Sequence, residues 1–368
     1  MRVRLEKGLQ GKVHVRSRIY ALTLALISLL SSCHFGLKAE YEPLFYKARK
    51  VFEEGEYGLQ CHSSTIAQVA DGDLMAAWWS GSYEGSTDAA ILGARLPPGQ
   101  ERWEKAMVLA DIPGRFEGNP VLFSLPDGRL WLFFALVETQ PSRAIQIMFQ
   151  ESEDSGRTWG PVQKFVTSIG IRPRNHPILM ENGEILFPLF DQLSGRSLFL
   201  ISADLGESWE STPPVQSEFF NIQPTVIQRS DGSLYALMRT WNDDPGKRFL
   251  WQSESTDHGR TWAAATLSDI PAVDSAIEMI RLKNGRLVLA YHDGQGRERT
   301  PLNLALSADE GRTWEKICVL EDGPGSFSYP SITLSRDGHI HVTYSYNRKY
   351  IKHLELNESW IDICAGKQ

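Results

Sequence analysis

The sequence predicts an all-β chain, a six-bladed β-propeller made of four-stranded antiparallel blades. Three observations carry that expectation. An eight-residue phrase, S-x-D-x-G-x-[T/S]-W, occurs at Ser152–Trp159, Ser202–Trp209, Ser255–Trp262 and Ser307–Trp314, at intervals of 50, 53 and 52 residues. Repeats of that period mark propellers or solenoids. Asp-Gly or Asn-Gly pairs between alternating apolar runs recur six times, 49 to 56 residues apart, and such pairs are the strongest short hairpin signal. Tryptophan is in excess, 11 residues in 368, within an otherwise ordinary composition of 42% hydrophobic and 23% charged residues.

The hairpin turns fall at Asp71-Gly72, Asp127-Gly128, Asn182-Gly183, Asp231-Gly232, Asn284-Gly285 and Asp337-Gly338. Around each, two strands are followed by a third, then the Ser-to-Trp phrase as a turn, then a fourth: six units, six blades. Within the phrase, Asp is expected to bond the backbone two residues ahead, Gly to take a positive φ, and Trp to bury a large surface where the next strand begins. The first unit lacks the phrase. Pro97-Pro98-Gly99-Gln100 and Trp103 stand in its place. The sixth unit ends near Lys352-His353-Leu354-Glu355, and a strand within Tyr41 to Phe52 is expected to close the ring.

Residues 1–32 read as a secretory signal. Six basic residues precede an apolar run, Ala21 to Leu30, too short for a confident membrane span. The run ends in Leu30-Ser31-Ser32-Cys33, which resembles a bacterial lipobox, so Cys33 is the expected lipidation site. Residues 33–40 then form a tether and 41–368 a single propeller. The mature chain is expected in the cell envelope, on the periplasmic side or outer membrane of a Gram-negative host, with a membrane reached only through the anchor. Setting residues 1–32 aside leaves 32 basic against 44 acidic residues, a net charge of −12. No basic run is present, so nucleic acid is an unexpected partner. With Cys33 lipidated, Cys61, Cys318 and Cys364 remain, and an odd set suggests no disulfide framework. No Cys–His spacing suggests zinc, no cofactor is implied, and a monomer is expected.

In a propeller the innermost strands converge on the axis, so their starts meet in one pocket. Those starts read Cys61-His62-Ser63, Gly118-Asn119-Pro120, Asn175-His176-Pro177, Ile222-Gln223-Pro224, Asp274-Ser275-Ala276 and Ser328-Tyr329-Pro330. Proline is tolerated at a strand's first residue and restricts the residue before it. Trp78, Trp79, Tyr83, Glu84, Asp88, Asp191, Arg239, His292, Asp293, Arg297, Arg299 and Arg348 are expected to add an aromatic, arginine-rich rim to the same face. Such a pocket suits an acidic carbohydrate, because arginine holds a carboxylate in two parallel hydrogen bonds.

The four phrases are Asp-boxes, and with them the chain resembles the sialidase (neuraminidase) superfamily. The resemblance covers the chain beyond the signal at the level of repeats and only a few positions at the level of chemistry. It implies three arginines gripping a sugar carboxylate, a Tyr nucleophile with a Glu partner, and an Asp acid/base. Asp231 to Arg239 resembles the stretch ending in the second arginine, Arg299 the third, and Ser328-Tyr329-Pro330 the nucleophile. Glu84 or Asp88 falls where the acid/base is implied. Two positions depart from the pattern. His62 stands in place of the first arginine, and Gln223 in place of the glutamate. Tyrosine ordinarily titrates near 10, so Asp274 or Glu278 becomes the candidate base.

The leading expectation is an exo-glycosidase hydrolysing a terminal acidic sugar. Tyr329, Glu84, Asp88 and Asp274 are its catalytic candidates. Arg239, Arg299, His62, Asn119, His176, Gln223 and Arg348 are its substrate-binding candidates. A neutral phenol avoids the repulsion a carboxylate nucleophile would meet from the sugar's own carboxylate. Two alternatives stand beside it: a lyase acting on uronic acids, using Tyr329, His62 or His176 with Arg239, and a non-catalytic glycan-binding propeller.

Overall fold

The structure is a computed structural model that describes residues 43–138, 145–166, 170–241, 248–294 and 296–366. The signal segment, the tether and Cys33 lie outside the described residues. Residues from Leu44 onward form one unit of six antiparallel sheets. Strand β1 (Tyr46–Lys50) precedes blade one, which contains β2 (Gln60–Gln68), β3 (Leu74–Gly81), β4 (Ala90–Leu96) and β5 (Met107–Ala110). Blade two has β6 (Phe116–Ser124), β7 (Leu130–Val137), β8 (Ile145–Ser152) and β9 (Gln163–Val166). Blade three has β10 (Ile171–Pro173) and β11 (Ile178–Leu179), both paired with β12 (Ile185–Asp191), then β13 (Arg196–Ser202) and β14 (Glu210–Ser211). Blade four has β15 (Asn221–Gln228), β16 (Leu234–Thr240), β17 (Phe249–Ser255) and β18 (Thr266–Pro271). Blade five has β19 (Glu278–Arg281), β20 (Leu287–His292), β21 (Leu302–Ser307) and β22 (Glu315–Glu321). Blade six has β23 (Phe327–Leu334), β24 (Ile340–Tyr346) and β25 (Tyr350–Leu356), with helix α1 (Glu358–Ala365) after it.

The fourth strand of blade six is β1, paired with β25 in the register Tyr46↔Leu356 to Lys50↔Lys352. The first strand of the chain therefore closes the ring against the last, as the sequence suggested. The core is not one mass. Clusters of buried aliphatic and aromatic residues fill the wedges between neighbouring blades, such as the one joining Trp79 of blade one to Phe134 of blade two.

The Asp-boxes connect third to fourth strands and act as staples between blades. Ser152 Oγ accepts from the Gly156 amide at 2.8 Å, and Asp154 accepts from the Thr158 amide at 2.8 Å and its hydroxyl at 2.6 Å. Asp309 repeats the pattern with Thr313. The aspartate thus reaches four residues ahead. The two-residue reach occurs at the hairpins, where Asp71 accepts from the Asp73 amide. Gly311 has φ +89°, and a Cβ there would lie 2.6 Å from the Tyr235 ring of blade four. Both the backbone and the neighbouring blade exclude a side chain. Trp159, Trp209, Trp262 and Trp314 are half-buried. Each caps a wedge, as when Trp262 stacks on Phe199 of blade three at 4.2 Å, so one ring face stays accessible.

Cysteine is a second correction. Cys318 on β22 is bonded to Cys364 on α1, with Cα atoms 5.6 Å apart, and Cys61 is free and buried. An odd count excludes full pairing, not a single bridge that ties the terminal helix to blade five.

Candidate active site

Four of the six innermost strands carry the same irregularity at their starts. Ladder pairing shifts between His62 and Thr65, Gly118 and Val121, Ile222 and Thr225, and Ser328 and Ser331. At each bulge one non-glycine residue takes a left-handed backbone: Ser63 (φ 59°), Asn119 (49°), Gln223 (53°) and Tyr329 (57°). Bulges re-aim a side chain, and such conformations cost roughly 1–3 kcal/mol where the surroundings hold them. Proline at 120, 224 and 330 disfavours the right-handed helical region for the residue before it. In blade one the bulged residue is Ser63, with His62 one position earlier.

Tyr329, Gln223 and Asn119 line a cavity of about 830 Å³, with Arg239, Asp274 and Glu84. Arg239 Nη1 donates to Gln223 Oε1 at 2.9 Å and to the Tyr329 oxygen at 3.0 Å. With Oε1 so engaged, Gln223 Nε2 donates to the same phenol oxygen at 3.3 Å. Arg239 Nη2 pairs with Asp274, whose carbonyl accepts from Arg299 Nε at 3.0 Å. Three guanidinium groups, Arg174, Arg299 and Arg239, lie 5.1, 5.3 and 5.9 Å from the Tyr329 ring centre. The sequence-chosen group of Tyr329, Arg239 and Arg299 is therefore assembled from three consecutive blades.

Electrostatics at this oxygen favour ionisation. Burial pushes the Tyr329 phenol up, but the charges of Arg239 and Arg299 and the hydrogen bond from Gln223 outweigh it and hold the phenol below its ordinary value. Asp274 is likewise opposed by burial yet held low by Arg239 and then Arg299. It meets Tyr329 only through Arg239. Glu278 lines a different cavity. It accepts from His176 Nδ1 at 2.7 Å, Ser331 Oγ at 2.8 Å and the Ile332 amide at 2.9 Å.

The remaining sequence-chosen residues take distinct places. His62 is buried under the Tyr329 ring at 4.2 Å and hydrogen-bonded through Nδ1 to Ser345 Oγ at 2.8 Å. Burial and the charge of Arg348 keep it well below an ordinary histidine, hence neutral. Glu84 lines the cavity and pairs with Arg348 at 2.7 Å. Asp88 is held by the Ser82 hydroxyl and amide in a surface turn, with its carboxyl drawn down to about 2. Asn119 accepts from Ser63 Oγ at 2.9 Å. His176 lines a second cavity, about 610 Å³, together with Glu278 and the hairpin-end residues Gln68, Arg281 and Arg336.

The expected rim needs correcting. Trp78 and Trp79 are 0% and 1% exposed, packed in the wedges on either side of blade one. His292 is buried, with Nε2 hydrogen-bonded to the Phe327 carbonyl at 2.8 Å. Asp191 accepts from the Leu193 and Ser194 amides of the next turn. The aromatic wall comes instead from Phe116, Phe190 and Trp241. Sequence reasoning also missed Arg172 and Arg174. Arg174 reaches the axis and donates to the carbonyls of Ser64 at 3.3 Å and Pro330 at 2.9 Å. The signal was present in Arg172-Pro173-Arg174-Asn175-His176-Pro177. Reading back one or two residues from Pro177 stopped short of both cations, because β10 ends at Pro173 and Arg174 to Pro177 interrupt the inner strand of blade three.

Comparison with known proteins agrees with this architecture. The BNR repeat-like domain family matches residues 72–342. Sialidase-3 of Rattus norvegicus is 26% identical over 204 residues, 45% of this chain and 47% of that protein, so the chain is aligned to about half the length of that curated relative. Among solved structures, Hadza microbial sialidase Hz136 superposes with a TM-score of 0.69 at 18% identity, over 84% of this chain and 68% of that one. The intramolecular trans-sialidase from Ruminococcus gnavus, solved with oseltamivir carboxylate, superposes with a TM-score of 0.68 at 14% identity, over 84% and 97%. At such identities the superpositions establish the fold, while the match over residues 72–342 establishes the kinship: the chain belongs to the BNR repeat-like domain family, as a six-bladed propeller of the sialidase superfamily.

Proposed function

We propose that this protein is an exo-glycosidase of sialidase type that hydrolyses a terminal acidic sugar from a glycan. One observation carries the reading. The Tyr329 oxygen, on a bulge at the propeller axis, receives hydrogen bonds from Arg239 and Gln223 beside two further guanidinium groups. Donors only, with no carboxylate at that oxygen among the described residues, favour a phenolate that has already lost its proton to solvent. In this scheme Arg239 and Arg299 attract the sugar carboxylate, and the Tyr329 oxygen bonds to the anomeric carbon as the bond to the leaving oxygen breaks. Glu84, on the cavity wall, is better placed than Asp88 to give that oxygen a proton. Water then attacks the anomeric carbon, returns a proton to Glu84, and releases Tyr329.

A screen of the purified chain against fluorogenic α-sialosides and β-glucuronides, with mass analysis of products, tests this. Free acidic sugar from one of them, lost in Tyr329→Phe, is the expected result. No turnover of any acidic glycoside overturns it. One observation favours a second reading, elimination from a uronic acid. Neutral His62 lies against Tyr329, and its Nε2 makes no hydrogen bond among the described residues. A lyase would announce itself by the ultraviolet absorbance of an unsaturated uronate. We also propose export and lipid attachment at Cys33, from the apolar run ending at Leu30-Ser31-Ser32-Cys33. Incorporation of a fatty-acid analogue, abolished in Cys33→Ser, is expected. A mature chain that starts elsewhere and takes no label ends that idea.

A further inference from the structure

His62 leaves the pocket short of one cation, and the structure offers a replacement from another blade. We propose that Arg172 receives the carboxylate of the sugar, from blade three, in place of a cation at position 62 on blade one. The inference rests on the reading of the site as one for acidic sugars.

The other arginines near Tyr329 attract the carboxylate by their charge but already hold protein acceptors, Arg299 through Nε alone. Arg239 spends Nη1 on Gln223 and Tyr329 and Nη2 on Asp274. Arg174 is bound to two backbone carbonyls, Arg348 pairs with Glu84, and Arg299 gives Nε to the Asp274 carbonyl. Arg172 lines the same cavity as Tyr329, Arg239 and Asp274. Among the described residues its guanidinium forms no ion pair, and its buried Nε has no hydrogen-bond partner. The charge is also withdrawn from water, since burial draws its pKa down while only Tyr329 and Glu84 act to raise it.

A cation half-withdrawn from water without a partner carries part of its desolvation cost, and an anion that enters the cavity offsets it. Position explains why Arg172 is available. It lies on β10, opposite Phe190 of β12, and the strand stops one residue later at Pro173. Phe190, Leu193 and Trp241 of the same wall carry no acceptor side chain, and the carboxylate of Glu84 there is paired with Arg348. Blades three, four, five and six then present Arg172, Arg239, Arg299 and Tyr329 as one arc. A planar carboxylate is the group that matches a guanidinium fork with both oxygens.

Binding, rather than turnover, separates this inference from the reading beneath it. Isothermal titration would use 2,3-didehydro-N-acetylneuraminic acid and glucuronic acid, each beside its methyl ester, with the wild type, Arg172→Gln and Arg172→Lys. One charge-assisted contact is worth roughly 10- to 100-fold in affinity. Arg172→Gln is therefore expected to lose about that factor for whichever acid the wild type binds, and little for the ester. Arg172→Lys should recover part of the loss, because it keeps charge without the fork. An unchanged melting temperature in both variants would exclude a merely structural role. If the wild type and Arg172→Gln bind the acid equally, Arg172 is not its receptor and the glycosidase reading stands. If the wild type binds neither acid, both fail.

Discussion

At the scale of single residues, the chemistry concentrates on one oxygen. Tyr329→Phe keeps the ring that packs on His62 and removes only the hydroxyl. The melting temperature should hold while kcat falls by about three orders of magnitude or more, as expected for loss of a nucleophile. Arg239 gives a finer test. Its charge, with that of Arg299, overrides burial to keep the phenol low. In Arg239→Gln the phenol should therefore rise, so less phenolate exists at a given pH. The ascending limb of kcat/KM against pH is expected to move to higher pH, and an unmoved limb would count against a phenolate nucleophile. Gln223→Glu should act in the same direction, since a carboxylate beside the phenol opposes its ionisation.

At the scale of elements, the Asp-boxes and the terminal helix join parts that hydrogen-bonded ladders leave separate. Trp314 caps the wedge between blades four and five while remaining half-exposed. Its truncation to alanine should cost about 2–3 kcal/mol, at or below the low end of the range for a large aromatic in a closed core. Urea denaturation reads this directly, with activity unchanged in the folded fraction. Breaking the bridge from Cys318 to Cys364 frees α1 from β22 across 46 residues of chain. Cys364→Ser is expected to lower stability by about 2–4 kcal/mol, and the loss should match that of the wild type in reductant.

At the scale of the whole molecule, the ring depends on a seam made of both chain ends. A histidine pair lies beside it: His341 Nδ1 and His353 Nε2 are 3.1 Å apart between β24 and β25. Around them stand Ser335, Asp337, His339, Arg49 and Glu355, with Trp103 of blade one against His353. Burial pushes His341 down to about 4, and His353 well below the ordinary value, its nearest charges being His341 and Arg49. Between about pH 6.5 and pH 4 the unfolded chain therefore binds protons that the folded seam refuses. Stability should fall as pH drops through that window, and buried His292, pushed down to about 4, and His62, held well below the ordinary value, add to the fall. His341→Gln should make the pH dependence of the melting temperature between pH 6.5 and 4 shallower, and a variant as steep as wild type would exclude His341 as a source.

The sequence by itself determined the all-β class, the six blades, the closing strand and the side chains at most inner-strand starts. These are local properties: a Gly in a turn, an apolar alternation, a Pro after the bulged residue. Tyr329 was legible as an inner-strand start before a proline, and Arg239 and Arg299 through the resemblance to the sialidase superfamily. Only the tertiary structure decided which groups share a pocket and which charges are spent. His62 falls beside Tyr329 but is neutral and held by Ser345, Trp78 and Trp79 turn into wedges, and His176 lines the second cavity. Arg172 was invisible because its meaning lies in what it lacks, a partner, and partners come from other blades: Arg239 and Tyr329 meet across 90 residues, Arg174 and Pro330 across 156. Sequence spacing carries the period of a propeller. Burial and the competition among charges at its axis arise only when six distant strand starts converge there.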